Sequence, residues 1–350
     1  MKRFVFILIT LVGFTSVSQQ SDFNTIDFKE ADSISVLYNN TALKNLPVLA
    51  HNLTFHLDSD VEKFRAIYKW VCLNIEGDYG FYLKTTRKRK KLKNDSLAFT
   101  NWNKSLQKKV FKQLVENQKT ICSGYAYLIK ELASLSGIAC EIVNGYSRSP
   151  SSQIGALGVA NHSWNAVKLN NKWYLEDATL ASGYFNVNEN KFIKSYNDGY
   201  FLAEPEQFSK SHFPLDLKWL LLDEAIDSNQ FVNGPIVYGS SFKYGVVPVY
   251  PNTLKIEVFK EGTIPFQLKI LKDINLNDVQ LSVSNGITKE AVQNDDFTFV
   301  DRILKLNYSF KTRGHYDFHV LIDDEVVVSY AVRVLKGDKQ GKLVVLNNEK

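Results

Sequence analysis

Apolar residues in the first half of the chain recur every three or four positions in two segments, and this spacing predicts two amphipathic helices. The first helix follows an S-x-x-E capping box at Ser59 and Glu62, and the turn residues 78–80 are expected to end it. The second helix covers Ser123 to Ser136 and is stopped by Gly137. Their apolar faces are formed by Phe64, Ile67, Tyr68, Val71 and Ile75 in the first helix and by Tyr125, Leu128, Ile129, Leu132 and Leu135 in the second.

Strict alternation of apolar and polar residues begins after Gly137 and predicts β-strands. Residues 138–143 form the first of these, and a loop rich in Ser, Gly and Pro follows from Ser147 to Asn161. The segments HSWNAVKL (162–169) and KWYLEDAT (172–179) then flank Asn170-Asn171. Asparagine tolerates positive φ, so this sequence favours a hairpin with a two-residue turn.

The predicted hairpin fixes which side chains share a face. With a two-residue turn, opposed residues have numbers that sum to 341, so Trp164 faces Asp177. His162 then lies on the same face as Asp177, in a diagonal position about 7 Å away between backbones. An imidazole and a carboxylate can bridge that gap, whereas a one-residue slip would place them on opposite faces.

The pattern changes again between Pro235 and Leu335, where short alternating runs are separated by Asn, Asp, Gly and Lys turns. The runs are LKIEVF, FQLKIL, VQLSV, LKLNYSF, YDFHVLI and VVVSYAVRVL. Regular short strands without a helical pattern predict a β-sandwich of immunoglobulin-like type.

The two ends of the chain have their own composition. Lys2 and Arg3 precede an apolar run at 4–14, and small residues at 16–18 offer a cleavage site near Ser18, which predicts a signal peptide over 1–18 and a secreted or periplasmic protein. The run is too short to cross a bilayer, and no second one occurs. We therefore divide the chain into a signal peptide (1–18), a leading segment with one or two helices (19–57), an α+β domain (58–225), a sandwich domain (235–335) and a charged tail (336–350).

The formal net charge of +5 is concentrated in one segment. Residues Lys84 to Lys93 carry seven positive side chains, which leaves a net charge of −2 on the rest of the chain. We expect a solvated loop there, with anionic surface groups as its partner if it has one, followed by a helix from Leu106 to Asn117. No aromatic residue lies between the basic ones, so a nucleic-acid partner is not predicted.

Three cysteines remain after removal of the signal peptide: Cys72, Cys122 and Cys140. An odd number in an exported chain leaves at least one thiol unpaired within it. Cys72 and Cys140 either form a disulfide or are buried free thiols, and the spacing does not decide between these alternatives. Cys122 lies at the start of the second helix, where unpaired N–H groups and the helix dipole present about +0.5 charge and favour a thiolate.

A thiol, an imidazole and a carboxylate in this arrangement are the groups that acyl transfer by cysteine requires. Cys122 is the candidate nucleophile, His162 the proton carrier and Asp177 the group that orients the imidazole. The alternative interpretation of Cys122 is a small buried apolar residue. The hairpin register supports the first interpretation, because it brings His162 and Asp177 together independently of Cys122.

The segments CSGYA, VNGYSR, NHSWNAVKLNNKWYLEDAT and YFLAEPEQFSKSHFPLDLKWLLL resemble the transglutaminase-like superfamily, and within it the kyphoscoliosis-peptidase-like branch. The resemblance covers about Asp58 to Leu222. It implies a papain-like core in which the cysteine opens a helix packed on an antiparallel sheet, with Cys122, His162 and Asp177 as the catalytic triad. Members of the branch often carry a Thr-Trp-Gly pattern after the aspartate, but here the tryptophan is missing. This difference is expected to affect the shape of the substrate groove.

An oxyanion hole needs N–H donors. The Cys122 backbone N–H and the Gln118 side-chain amide are the candidates, and the alternative for Gln118 is an exposed turn residue. No histidine pair has the spacing of a metal motif, and no glycine-rich phosphate loop follows a strand, so neither a metal nor another cofactor is predicted.

The sequence therefore predicts an exported cysteine-dependent enzyme that acts on amide bonds of a protein or peptide, either as a protease-like hydrolase or as a transglutaminase-type acyltransferase. The alternative is a catalytically silent module of the same fold that binds a protein or a cell-surface glycan.

Overall fold

The computed structural model describes residues 20–149, 157–286, 289–292, 297–336 and 343–344. The predicted signal peptide and the middle of the predicted Ser147–Asn161 loop lie outside these ranges. Within them, no helix has both the length and the apolar character needed to cross a membrane. The fold class is α+β, with a helical and sheet-containing part followed by a sandwich of β-sheets.

Helices dominate the chain up to the first large sheet, because the apolar spacing predicted from the sequence is realised there. The capping box of Ser59 and Glu62 is present and starts the helix at Asp60. Short 3₁₀ turns add to the helices at 20–23, 198–200, 217–220 and 276–278. The helices are α1 (Lys29–Leu37), α2 (Leu46–Thr54), α3 (Asp60–Asn74), α4 (Tyr79–Leu92), α5 (Ser96–Asn117), α6 (Cys122–Leu135), α7 (Ala178–Ser182), α8 (Pro205–Phe208), α9 (Ser228–Asn233) and α10 (Gly239–Tyr244).

One four-stranded antiparallel sheet packs against α6, with strand order β5-β4-β3-β8. Asn165 pairs with Glu176 and Leu169 with Lys172, so the predicted hairpin register is confirmed. Two small pairs accompany this sheet: β1 with β2 is parallel, and β6 with β7 is antiparallel. The strands are β1 (Glu76–Gly77), β2 (Lys119–Thr120), β3 (Cys140–Ser147), β4 (His162–Leu169), β5 (Lys172–Glu176), β6 (Gly183–Asn186), β7 (Lys191–Lys194) and β8 (His212–Pro214).

The second half of the chain forms the predicted sandwich. One sheet has strand order β10-β12-β16-β15 and the other β14-β13-β17-β18-β11-β19, with β9 paired to β18. The buried rings of Phe266, Phe318 and Tyr330 meet between the sheets. The strands are β9 (Ile236–Val237), β10 (Val246–Tyr250), β11 (Lys255–Phe259), β12 (Thr263–Ile270), β13 (Val279–Ser284), β14 (Lys289–Val292), β15 (Thr298–Val300), β16 (Ile303–Ser309), β17 (Gly314–Ile322), β18 (Glu325–Leu335) and β19 (Leu343–Val344).

Several predicted elements differ from the structure, and among them α5 begins at Ser96, ten residues before the predicted start at Leu106. The basic segment Lys84–Lys93, expected as a loop, is almost wholly in α4, because Lys and Arg are good helix formers and no Gly or Pro interrupts them. Asp78 was expected to help end the preceding helix. Instead α3 ends at Asn74, and the Asp78 carboxylate accepts the N–H of Phe81 at 2.8 Å to cap α4.

The two halves share one hydrophobic core, which continues from the helices into the sandwich. Polar contacts cross between them as well. The Gln207 amide donates to the carbonyls of Ser241 and Val246 at 2.8 and 3.2 Å. Arg148, at the end of β3, donates to the carbonyls of Phe231, Gly234 and Pro235.

Candidate active site

Cys122 is the first residue of α6, one position before the predicted start of that helix. The chain segment that leads to Cys122 is held by β2, in which Thr120 pairs with Gly77, and by packing beneath the helix. A Cβ on Gly124 would lie 1.9 Å from the Thr120 Oγ1, so only glycine lets this turn close over Thr120. Cys122 is thereby held at the N-terminal end of the helix and keeps 8% of its surface exposed.

The hairpin of β4 and β5 places the other two predicted residues together. His162 begins β4, and Asp177 follows directly after β5. The His162 Nε2 and the Asp177 Oδ2 are 2.6 Å apart, a length typical of a charge-assisted hydrogen bond. The other oxygen, Oδ1, accepts the N–H of Leu180 at 3.0 Å, so Asp177 also caps the short helix α7.

His212 is a fourth member of the cluster, and sequence reasoning missed it. It begins β8, which pairs with β3 at the sheet edge, and its Nε2 lies 3.0 Å from the same Asp177 Oδ2. Its Nδ1 is 2.9 Å from the Ser211 hydroxyl. The only sequence signal was its position in SKSHFP, a segment quoted above for the family resemblance.

Electrostatics favour a thiolate and an imidazolium. Burial alone would raise the pKa of Cys122, but the hydrogen bond to His162 and its positive charge outweigh burial and lower that pKa. The charge of Arg89 and the Ser163 backbone N–H act in the same direction. Burial alone would lower the pKa of His162, but the charge of Asp177 and the hydrogen bond to it raise that pKa to about 10. Because Nε2 is bonded to Asp177, Nδ1 is the nitrogen left for Cys122.

Asp177 and His212 form the closed side of the cluster, each with no exposed side-chain surface. Burial alone would raise the pKa of Asp177, but the charges and hydrogen bonds of both histidines hold it well below its usual range. Burial lowers the pKa of His212 against the pull of Asp177, so this ring is neutral at pH 7. A neutral His212 therefore donates its Nε2–H to Asp177 and accepts the Ser211 hydroxyl at Nδ1.

Asn161 forms the rim beside His162. Its side chain accepts the Ser147 N–H at 2.7 Å and donates to the Ser147 carbonyl at 3.0 Å, which closes the base of the intervening loop. The Arg89 Nη1 of α4 donates to the Asn161 carbonyl at 3.1 Å. The last turn of α4 is thus anchored at the edge of the site.

The remaining predicted residues have other surroundings. Gln118 is in the left-handed conformation after α5, and its side-chain amide donates to the Thr41 carbonyl at 2.9 Å. One amide hydrogen of Gln118 is therefore engaged away from any oxyanion. Cys72 and Cys140 are buried free thiols, so the disulfide alternative is not realised.

A metal ion would have one set of ligands within the described residues, namely His162, Asp177 and His212, whose ligand atoms lie within 4.8 Å of one another. Both histidines direct Nε2 to a single oxygen, at 2.6 and 3.0 Å. Two ligands at about 2.0 Å from a tetrahedral zinc are roughly 3.3 Å apart. The shorter contact fits a hydrogen bond better than a pair of metal ligands.

Comparison with known proteins identifies the domain in which these residues lie. The model of the transglutaminase-like superfamily matches residues 48–178, a range that contains all three predicted triad residues. The chain is 30% identical over 235 residues to Kyphoscoliosis peptidase of Homo sapiens, covering 66% of this chain and 33% of that protein. It is 25% identical over 234 residues to Hillarin of Drosophila melanogaster, covering 63% of this chain and 26% of Hillarin.

The chain thus spans about a third or less of the length of these curated relatives. Among solved structures, a TGase matches at 17% identity over 46% of this chain and 35% of that chain. Its TM-score of 0.25 is too low to carry an argument. The sequence matches confirm the predicted transglutaminase-like domain and its kyphoscoliosis-peptidase-like branch.

Proposed function

Because residues 48–178 match the transglutaminase-like superfamily, which includes cysteine proteases and acyltransferases, we propose that the chain is a cysteine-dependent enzyme acting on amide bonds of a polypeptide. Cys122 is the nucleophile, His162 carries the proton, and Asp177 orients His162. The observation that carries this proposal is the 2.6 Å hydrogen bond that joins His162 to Asp177, together with the electrostatic coupling of His162 to Cys122, which lowers the pKa of the thiol and raises that of the imidazole.

In the first step the Cys122 thiolate attacks the carbonyl carbon, a C–S bond forms, and the π electrons of the carbonyl move to its oxygen. When the tetrahedral intermediate collapses, the C–N bond breaks and the leaving nitrogen takes the Nδ1 proton of His162. The products are a free amine or ammonia and a thioester on Cys122.

In the second step neutral His162 removes a proton from the incoming nucleophile, which attacks the thioester carbonyl, and the C–S bond breaks to restore the thiolate. Water gives a carboxylic acid and therefore hydrolysis. A lysine amine gives a new amide bond and therefore crosslinking. We favour hydrolysis, since it needs no dedicated amine site.

The oxyanion of both steps needs donors directed at it. The Cys122 backbone N–H suits this role, because the first N–H groups of a helix have no partner within the helix. Gln118 would supply the second donor through its remaining amide hydrogen.

Export of the enzyme remains part of the proposal. It rests on the composition of residues 1–18, and N-terminal sequencing of protein recovered outside the cytoplasm tests it. A mature chain that starts near Gln19 supports export, whereas an intact Met1 on all recovered protein argues against it.

The catalytic proposal is tested by alkylating the full-length protein with iodoacetamide from pH 4 to pH 10. We expect Cys122 to react well below the pH of 8 to 9 at which a free thiol becomes reactive. Cys122→Ala should abolish labelling by a peptide-like electrophile, and Cys140→Ala should leave it unchanged. Equal labelling of the wild type and Cys122→Ala would favour a silent binding module. Mass spectrometry of a glutamine-containing peptide, incubated with and without a primary amine, then separates hydrolysis from transfer.

A further inference from the structure

The positive charge of α4 is concentrated beside the active site. Six of its fourteen residues are basic, and the cap residue Lys93 adds a seventh positive charge. None of these seven forms an ion pair with an acidic side chain of the described residues. Other basic residues nearby are paired, such as Lys119 with Glu76 at 3.0 Å. The charge of α4 is therefore available to a partner.

Helical spacing places six of these seven charges on two faces, and Arg87 belongs to neither set. Lys93 stands four positions after Arg89 and three after Lys90, so it neighbours both on the helix surface, and Arg89 is the one that reaches the Asn161 carbonyl. We call this set the rim face. Lys84, Lys88 and Lys91 stand at i, i+4 and i+7 on another side of the same helix, which we call the outer face.

The rim face is held in place by packing. Leu106, Val110 and Ile121 form a separate apolar cluster, against which Phe81 of α4 and Trp102 of α5 pack. Ile121 is also the residue that precedes Cys122 in the chain. A polypeptide that reaches Cys122 over the Asn161 rim must therefore pass close to these cations.

Like charges at neighbouring helical positions repel one another and destabilise a helix by a few tenths of a kcal/mol per pair. The basic side chains near the C-terminus of α4 are stabilised by the helix dipole, but they have no acidic partner among the described residues. Arg89 uses one N–H on Asn161 and has others to offer a carboxylate in a two-point contact.

We propose that the rim face of Arg89, Lys90 and Lys93 is a substrate-binding site for an acidic polypeptide segment. This inference rests on the proposed function and specifies its substrate class. From Arg89 to Lys93 the helix rises about 6 Å, which matches two extended residues of a substrate. Acidic residues within a few positions of the attacked amide are then held over the site.

Binding to the Cys122→Ala full-length protein tests the proposal without any need for catalysis. The probes are two fluorescein-labelled peptides with a central glutamine, one with three aspartates on each side and its twin with asparagines. By fluorescence anisotropy at 50 mM NaCl we expect the acidic peptide to bind about tenfold more tightly. The difference should shrink at 300 mM NaCl, where the Debye length is shorter.

Two matched triple variants locate the effect. Replacing Arg89, Lys90 and Lys93 by Gln should abolish the preference for the acidic peptide, and replacing Lys84, Lys88 and Lys91 by Gln should preserve most of it. Circular dichroism should show that both variants remain folded. Equal affinity for the two peptides, or equal losses in the two variants, would overturn the proposal.

Vesicles containing phosphatidylserine test the alternative that the rim face binds a lipid surface. Binding to them through the rim face, without any preference between the peptides, would assign this face to a lipid surface and overturn the proposal. Failure of electrophile labelling at Cys122 would instead overturn the catalytic function and leave the peptide measurement valid.

Discussion

At the scale of single residues, Asp177 is the centre of the site because its two oxygens have different tasks. Oδ2 receives His162 and His212, and Oδ1 caps α7. Three donors on one buried carboxylate explain why it stays ionised without exposure to water. His212 therefore contributes through Asp177, and it is a positioning residue for the proposed reaction.

Removing the His212 donor should slow the proposed acylation by about tenfold, a typical loss when a supporting hydrogen bond is removed. His212→Phe keeps a ring for stacking on Phe208, whose centroid is 3.8 Å away, but lacks the N–H. His212→Gln keeps an N–H donor and should retain more of the rate. The measurement is the rate of Cys122 labelling against pH.

The pH profile distinguishes positioning from packing. With one donor fewer the pKa of Asp177 rises, so the acid limb of the His212→Phe profile should move to higher pH. A lower rate with an unmoved acid limb in both variants would mean that His212 only fills space.

Glu176, next to Asp177, is also a buried carboxyl group, but its pKa is shifted in the opposite direction. It is completely buried, and neither carboxylate oxygen has a hydrogen-bond partner among the described residues. Burial, and then the negative charge of Asp177, raise the pKa of Glu176 well above its usual value. The folded protein therefore keeps the Glu176 proton to a higher pH than the unfolded chain does.

This protonation makes stability depend on pH. Between the pH at which the unfolded chain loses the Glu176 proton and the higher pH at which the folded chain loses it, this residue lowers the free energy of unfolding as the pH rises. Glu176→Gln cannot ionise. Urea unfolding from pH 5 to pH 8 should show a variant whose stability relative to the wild type increases steadily with pH. A constant difference across this range would contradict the prediction.

The candidate triad could be predicted from the sequence because each residue has a local signal. Cys122 precedes an amphipathic helix, and the Asn-Asn turn fixes the register that joins His162 to Asp177. His212 has no such signal, since its contact depends on β8 returning to the edge of the sheet 35 residues after Asp177. The carbonyl contacts of Arg148 are similarly distant in sequence and could not be read from spacing.

At the scale of elements, α6 depends on the absence of a side chain at Gly124. Gly124→Ala would place a Cβ 1.9 Å from the Thr120 Oγ1. We expect a loss of about 1–3 kcal/mol in the free energy of unfolding, as for overpacked cores, and slower labelling of the displaced Cys122.

Gly80→Ala in α4 is the matched control. Its Cβ would meet only the Asp78 Oδ1, at the ordinary distance of 3.6 Å. This variant should be more stable than the wild type by roughly 0.5–1 kcal/mol, because Ala favours a helix over Gly. Equal effects of the two substitutions in urea unfolding would show that the Thr120 contact does not constrain the turn.

The elements that sequence reasoning misplaced have a common cause. The high charge of Lys84–Lys93 predicts a loop, but charge alone does not oppose a helix when the residues are good helix formers and a cap precedes them. The Asp78 cap, Thr85 in the interior and the packing of Phe81 decide the outcome. Such tertiary contacts cannot be seen in the local sequence pattern. The strands of the sandwich can be predicted from that pattern, because their alternation extends over seven to eleven residues in the longest cases.

At the scale of the whole molecule, Arg148 connects the sheet of the candidate site to the start of the sandwich. Its side chain is buried, and no acidic partner is present among the described residues. Three carbonyls surround the guanidinium instead, those of Phe231 in α9 and of Gly234 and Pro235 between α9 and β9. Arg148 thus contributes hydrogen bonds that hold the two halves in one arrangement, in addition to their common hydrophobic core.

Arg148→Met should lower the free energy of unfolding by about 3 kcal/mol, because buried carbonyls then lose their donors. Arg333→Met is the control: it removes an exposed ion pair with Glu257 at 2.9 Å and should change stability by less than about 1 kcal/mol. Calorimetry should show one transition for the wild type and for Arg333→Met, since the shared core couples the halves, and a broadened or split transition for Arg148→Met. Equal losses in the two variants, with a single sharp transition in both, would mean that the hydrophobic core alone couples the candidate site to the sandwich.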